Sequence, residues 1–182
     1  GPLPREWLAE RLWPHDASDA ARGTLRQHVF QLGRRAGQPL FTGAVDLALR
    51  ADVAHDVRVN GDATPLDLLP HLEFPDHPKL DEAVGAERRR WAADVLEHWW
   101  SAAEREQSLG RWVEALRIAD RLVHALPVSE RAARLQMTLH GRLRDRSAVL
   151  LCFDRLKQRL HDDLGERPSA ELGREPASDQ FR

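Results

Sequence analysis

Apolar residues recur every three or four positions along most of this chain, the spacing of helices that bury one face. Trp7, Leu8, Leu12 and Trp13 predict a first helix from Pro4 to Trp13, broken by Pro14. An acidic turn follows, His15-Asp16-Ala17-Ser18-Asp19, in which Asp16 or Ser18 can cap the next helix. Ala21, Leu25, Val29, Leu32 and Ala36 then form one stripe, predicting a second helix over about 20–36 that stops at Gly37.

The period changes after Gly37. Val45, Leu47 and Leu49 alternate with Asp46, Ala48 and Arg50, the pattern of a half-buried strand. With Pro39-Leu40-Phe41 before Thr42-Gly43, a small hairpin is expected, and beside a basic helix it would be a wing. Residues 60–79 carry Asn60-Gly61, Pro65, Pro70, Pro75 and Pro78 and read as a connector, with one short helix at 65–69.

From Leu80 onward the periodicity is helical. The first helix is expected over about 80–108, with Val84, Trp91, Val95, Trp99 and Ala102 on one stripe and Ala92, Leu96, Trp100 and Ala103 on its neighbour. So wide a stripe is buried on more than one side. Three more helices are predicted, at 111–126 before Pro127, at 129–140 before Gly141 and at 144–164 before Gly165, then a short one at 168–175. Leu116, Asp120, Arg121, Leu122 and Leu126 recur as Leu150, Asp154, Arg155, Leu156 and Leu160, each 34 residues later. That is the period of a tetratricopeptide helix pair, which must stack on a neighbour to bury its apolar face. About three pairs are expected.

Composition changes this picture little. The 182 residues are 42 % hydrophobic and 31 % charged, with net charge -2, as in ordinary globular domains. No apolar run is long enough for a membrane helix, and no signal peptide is recognisable. The single cysteine, Cys152, excludes an internal disulfide framework, suits a reducing cytoplasmic setting, and sits in an apolar run as a buried thiol. The distribution of charge says more than its sum. The second helix, read from Ala20, holds Arg22, Arg26, Arg34 and Arg35 and no carboxylate. A helix–turn–helix with a purely basic second helix points to a nucleic-acid reader. Gly23, Thr24, Arg26, Gln27, Phe30, Gln31 and Arg34 lie opposite the Leu25 stripe, Arg26 about 100° from Leu25 and Arg34 about 180°.

Enzymatic chemistry finds no foothold. The nine histidines are scattered, without a His-Glu-x-x-His pair, a phosphate loop or a Gly-x-Ser-x-Gly elbow. His71 and His77 flank Glu73 and Asp76, a grouping that reads as a proline-rich surface turn, and Trp91, Trp99 and Trp112 read as packing residues. No catalytic residue, cofactor or metal site is expected.

Taken together, Trp7-Leu8-Ala9-Glu10-Arg11-Leu12-Trp13-Pro14, Ala20-Ala21-Arg22-Gly23-Thr24-Leu25-Arg26-Gln27 and Leu32-x-Arg34-Arg35 resemble the DNA-binding domain of Streptomyces antibiotic regulatory proteins. Leu47-Ala48-Leu49-Arg50 with Asp52-Val53 and Asp56-Val57 looks like that family's wing and exit. Residues 66–175 are similar to the bacterial transcriptional activator domain that follows it. The landmarks are Glu87-Arg88-Arg89-Arg90-Trp91, Gly110-x-Trp112-x-Glu114-Ala115-Leu116, Leu126-Pro127-Val128-Ser129-Glu130 and Leu164-Gly165-Glu166-Arg167-Pro168-Ser169.

The resemblance implies a mostly α protein: a partial winged helix–turn–helix with a small hairpin wing over residues 1–60, a tetratricopeptide-like repeat domain over 61–176, and a disordered tail at 177–182. The family's winged helix begins with strands and a helix ahead of the Leu-Trp-Pro helix, so an incomplete one is expected here. Gly33 stands where the family has arginine. The implied function is sequence-specific activation of transcription in the cytoplasm. Double-stranded DNA would be read by Arg22, Thr24, Arg26, Gln27, Gln31, Arg34 and Arg35. The helical stack would serve homodimer formation or contact RNA polymerase or another regulatory protein, with no membrane partner. The alternative is a tetratricopeptide-like protein-interaction module that keeps a degenerate winged-helix remnant and does not bind DNA.

Overall fold

The computed structural model describes residues 2–53, 68–69 and 72–172. Among them the chain is mostly helical, with a small antiparallel sheet. It divides into two compact units, one of residues 1–58 with 66–91, the other of 59–65 with 92–182. The expected short helix at 65–69, the exit residues Asp56 and Val57, and the tail at 177–182 lie outside the described residues.

In the first unit β1 (Leu3–Pro4) runs directly into α1 (Arg5–Leu12). The helix ends because Pro14 pushes Trp13 out of the α region, to φ -134° and ψ 70°. α2 spans Ser18–Arg35 and so starts two residues earlier than expected. Neither Asp16 nor Ser18 caps it. Ala17 is the extended residue before the first turn and makes no side-chain bond, while Ser18 is already helical. The earlier start also brings Asp19 into the helix, so α2 is not free of carboxylates. At the far end the Gln38 N–H donates to Gly33 O and the Gly37 N–H to Arg34 O, the paired bonds of a Schellman stop. This accounts for Gly33, since a Cβ there would stand 3.3 Å from Gln38 O.

Ala9, Ala21 and Leu25 are buried between α1 and α2, with Leu8, Leu12, Trp13 and Val29 half-covered around them. Two alanines at the contact let the helices approach closely. The rest of the expected stripe, Leu32 and Ala36, is exposed. The expected hairpin forms from β2 (Phe41–Thr42) and β3 (Asp46–Leu49), with Phe41 opposite Leu49 and Thr42 opposite Ala48. β1 adds to the other edge of β3, Leu3 opposite Leu47, giving the order β1-β3-β2. Two-residue β1 carries no periodicity that could have announced it. Of the alternating apolar set only Leu47 is buried. Val45 is 79 % exposed because it lies in the turn before β3, where its carbonyl accepts from the Arg5 N–H.

α3 is one helix, Pro78–Ser108. Near its start the Arg88 guanidinium donates to the carbonyls of Leu68, Leu69 and Leu72, gathering the end of the connector. In the second unit the later part of α3 is followed by α4 (Trp112–Ala125), α5 (Glu130–Arg142) and α6 (Arg146–Leu164). Val95, Trp99 and Ala103 of α3 are buried, as are Leu122, Met137, Leu139, Val149 and Leu156. Trp112 is only half-buried, packing beside Ala115, Ala119 and Leu139 with Arg142 over its ring.

The 34-residue displacement holds in the backbone. Helix ends Ser108 and Arg142, helix starts Trp112 and Arg146, and the left-handed residues Gly110 and Arg144 each stand 34 positions apart. Both turns use the same bonds: Arg111 N–H to Glu106 O and Gly110 N–H to Gln107 O in one, Asp145 N–H to His140 O and Arg144 N–H to Gly141 O in the other. Gly141 is therefore inside α5, not its stop. Of the expected helix at 168–175 the described residues hold one turn through Leu172, anchored by Ser169. Its N–H and hydroxyl both donate to the Glu130 carboxylate, at 2.6 Å each, and its Oγ accepts from the Leu172 N–H. That seats Leu172 in the core against α5 and α6.

Candidate nucleic-acid interface

The exposed face of α2 is built by exclusion. Ala21 and Leu25 turn toward α1, which leaves the positions about 100–240° around the helix facing out. Arg26, Gln27, Phe30, Gln31 and Arg34 occupy that arc, and Arg35 follows at the last turn; all are exposed. Among the described residues no carboxylate pairs with Arg26, Arg34 or Arg35.

The other two expected contact residues are already engaged. Arg22 bonds Asp19 at 2.6 Å and Glu6 at 3.3 Å, so it ties α2 to α1, and the Asp19 hydrogen bond holds its guanidinium above the ordinary pKa. Thr24 is half-buried and its hydroxyl donates to Ala20 O at 3.0 Å. In the hairpin the cation is likewise occupied. Arg50 makes a bidentate pair with Asp52, at 3.0 and 2.8 Å, which raises the arginine and lowers the carboxyl from their ordinary values.

Phe30 is the residue whose role the sequence did not assign. It is 65 % exposed and stands one turn from both Arg26 and Arg34. With them it lines an open groove of about 530 Å³ whose far side is Pro39 and Phe41. Arg5 borders the same groove, but its guanidinium donates to Gly43 O. A second hollow of about 530 Å³ in this unit is almost wholly apolar, lined among others by Leu8, Trp13, Leu25, Leu32 and Leu49.

Nothing among the described residues gathers three or more His, Cys, Asp or Glu side chains in a metal-holding group, and His71 lies outside them. Cys152 is buried, and burial pushes its thiol up to about 11. No described helix is long and apolar enough to cross a membrane.

The family described as bacterial transcriptional activator domain matches residues 70–176. The chain belongs to that family. Its landmark residues now have structural work: Arg88 gathers the connector carbonyls, and Glu130 and Ser169 close the last turn onto α5. The family is a regulatory one, and membership gives the chain a part in bacterial transcriptional activation. No curated protein and no solved structure shows a significant match to the chain.

Proposed function

We propose that this activator-domain protein binds double-stranded DNA through α2 and activates transcription in the cytoplasm. The observation that carries the reading is the outward face of α2, where three arginines, without carboxylate partners among the described residues, and two glutamines share about 180° of arc. Arginine recognises guanine edges and phosphates, and glutamine recognises adenine. In this reading residues 1–60 act as a partial winged helix with β2–β3 as its wing, and Arg22 and Thr24 position α2 for the contacting residues. Residues 61–176 form a tetratricopeptide-like stack, supported by the matched turns at Gly110 and Arg144. The stack serves self-association or contact with RNA polymerase or another regulator.

The reading is tested by binding isotherms on specific and random duplexes at several salt concentrations. Affinity should fall with salt, by a slope of about 0.9 per phosphate neutralised. A chain that leaves duplex DNA unbound at low salt is the alternative, a protein-interaction module with a winged-helix remnant. The apolar hollow between α1, α2 and the sheet favours that second reading, because it suits a protein partner and not a phosphate backbone.

A further inference from the structure

We propose that the groove running between α4 and α6, across α5, is the docking site for an acidic, leucine-bearing segment of a partner protein. The proposal deepens the protein-contact part of the function above and does not depend on DNA binding by α2.

The groove has a volume of about 490 Å³ and two kinds of surface. Its floor is apolar: Val123 from α4, Ala133 from α5, and Leu151 and Leu156 from α6. Leu151 is 55 % exposed, on a helix whose buried residues, Val149, Cys152, Leu156 and Leu160, lie on another face. Its rim is cationic. Arg155 and Arg159 stand one turn apart on α6, and among the described residues neither has a carboxylate within ion-pair distance. His124 and His140 border the same opening. Among the described residues the one carboxylate that lines it, Asp120, accepts a 2.7 Å hydrogen bond from the Gln136 amide.

The occupant follows from these two demands. Leu151 needs an apolar cover and the two arginines need counter-charge. An amphipathic acidic segment meets both, with leucines laid on the floor and carboxylates along the α6 edge. A nucleic acid would answer the arginines but leave Leu151 in water. A basic or neutral segment would cover Leu151 and leave the arginines unpaired.

The probe is a labelled peptide with leucines at helical spacing and glutamates between them, titrated by fluorescence anisotropy into the full chain. Saturable binding is expected. It should weaken about tenfold or more when the glutamates are exchanged for lysine, or the leucines for serine. Arg155→Glu and Arg159→Glu should each lose about tenfold or more, since each sets like charges opposite one another. Lys157→Glu makes the same charge change on α6 away from the groove and should bind as the parent does. All three side chains are exposed, so helicity by circular dichroism should not change. The proposal is overturned by absence of saturation, by equal binding of the lysine peptide, or by an equal loss in Lys157→Glu. It is also overturned if random duplex DNA displaces the peptide and the two arginine variants lose that DNA, for the groove would then be a phosphate site. Failure of α2 to bind DNA leaves the peptide result untouched, so the two readings fail separately.

Discussion

Three single residues carry conformations or environments that substitution can probe. Gly43 has φ +103°, and a Cβ there would fall inside the contact distance of the Asp46 carbonyl oxygen. Gly43→Ala should therefore open the β2–β3 turn at a cost of about 2 kcal/mol or more. It should also release Arg5, whose guanidinium rests on the Gly43 carbonyl. The check is hydrogen exchange at the Arg50 amide, bonded to Leu40 O at 2.9 Å; protection equal to that of the parent would refute the strain. Arg144 has φ +59° at a site where the preceding repeat uses Gly110. Arg144→Gly should raise stability by about 0.5–1 kcal/mol, the relief of a side chain in the left-handed region. A denaturant midpoint that stays or falls would show the turn to be unstrained. Cys152 is raised from the ordinary 9.0 to about 11, first because burial disfavours its thiolate. A raised folded value means that the contribution is full below about pH 9 and fades as pH climbs through 11. Comparing the parent with Cys152→Ala in urea from pH 7 to above 10 should show the parent's relative stability falling over that interval. A difference that does not change with pH would place the thiol in water.

At the scale of elements, α2 is where sequence and structure meet most fully and where they part. Its apolar stripe and Gly37 stop were readable, because amphipathic period and a Schellman glycine are local properties. Its partners were not. Asp19 entered the helix and took Arg22, a pairing that depends on where the first turn begins and on Glu6 across the α1 contact. This divides the expected DNA residues by role. If α2 lies in the major groove, Arg26→Ala or Gln27→Ala should cost about 1–3 kcal/mol and relax preference at one base position. Arg35→Ala should weaken binding to all sequences alike and lower the salt slope by about one phosphate contact. Isotherms on specific and random duplexes distinguish these outcomes, and unchanged affinity and slope in every variant would make α2 a solvated face. The hairpin was likewise half legible. Alternation located β3, but Val45 is spent on the turn, and β1 was invisible because two residues have no period.

Across the whole molecule the strongest regularity is the 34-residue repeat, seen first in five side chains and then in helix ends, helix starts and turn bonds. A repeat of this kind survives in sequence because each pair must present the same face to the next. Trp99 shows what that face does. It is 4 % exposed, and Arg121 of α4 stands over its ring at 6.0 Å. Trp99→Ala should cost about 3–5 kcal/mol, as removal of a core aromatic leaves a cavity its neighbours fill only partly. A loss below about 1 kcal/mol in a urea titration would put Trp99 on a surface.

The sequence by itself determined the helices, their order and most of their breaks, since these follow from apolar period and from Gly and Pro between runs. It also identified the activator-domain landmarks without saying what they hold. Only tertiary structure decided which charges are free. Glu6 of α1 reaches Arg22 and Gln136 of α5 takes Asp120, while Arg26, Arg34, Arg155 and Arg159 have no carboxylate partners among the described residues. Tertiary structure also joined Glu130 to Ser169, 39 residues on, and so seated Leu172. The physical reason is range. Period and turn chemistry act within a few residues, whereas the pairing of a charge is set by whatever the fold brings to within about 4 Å of it.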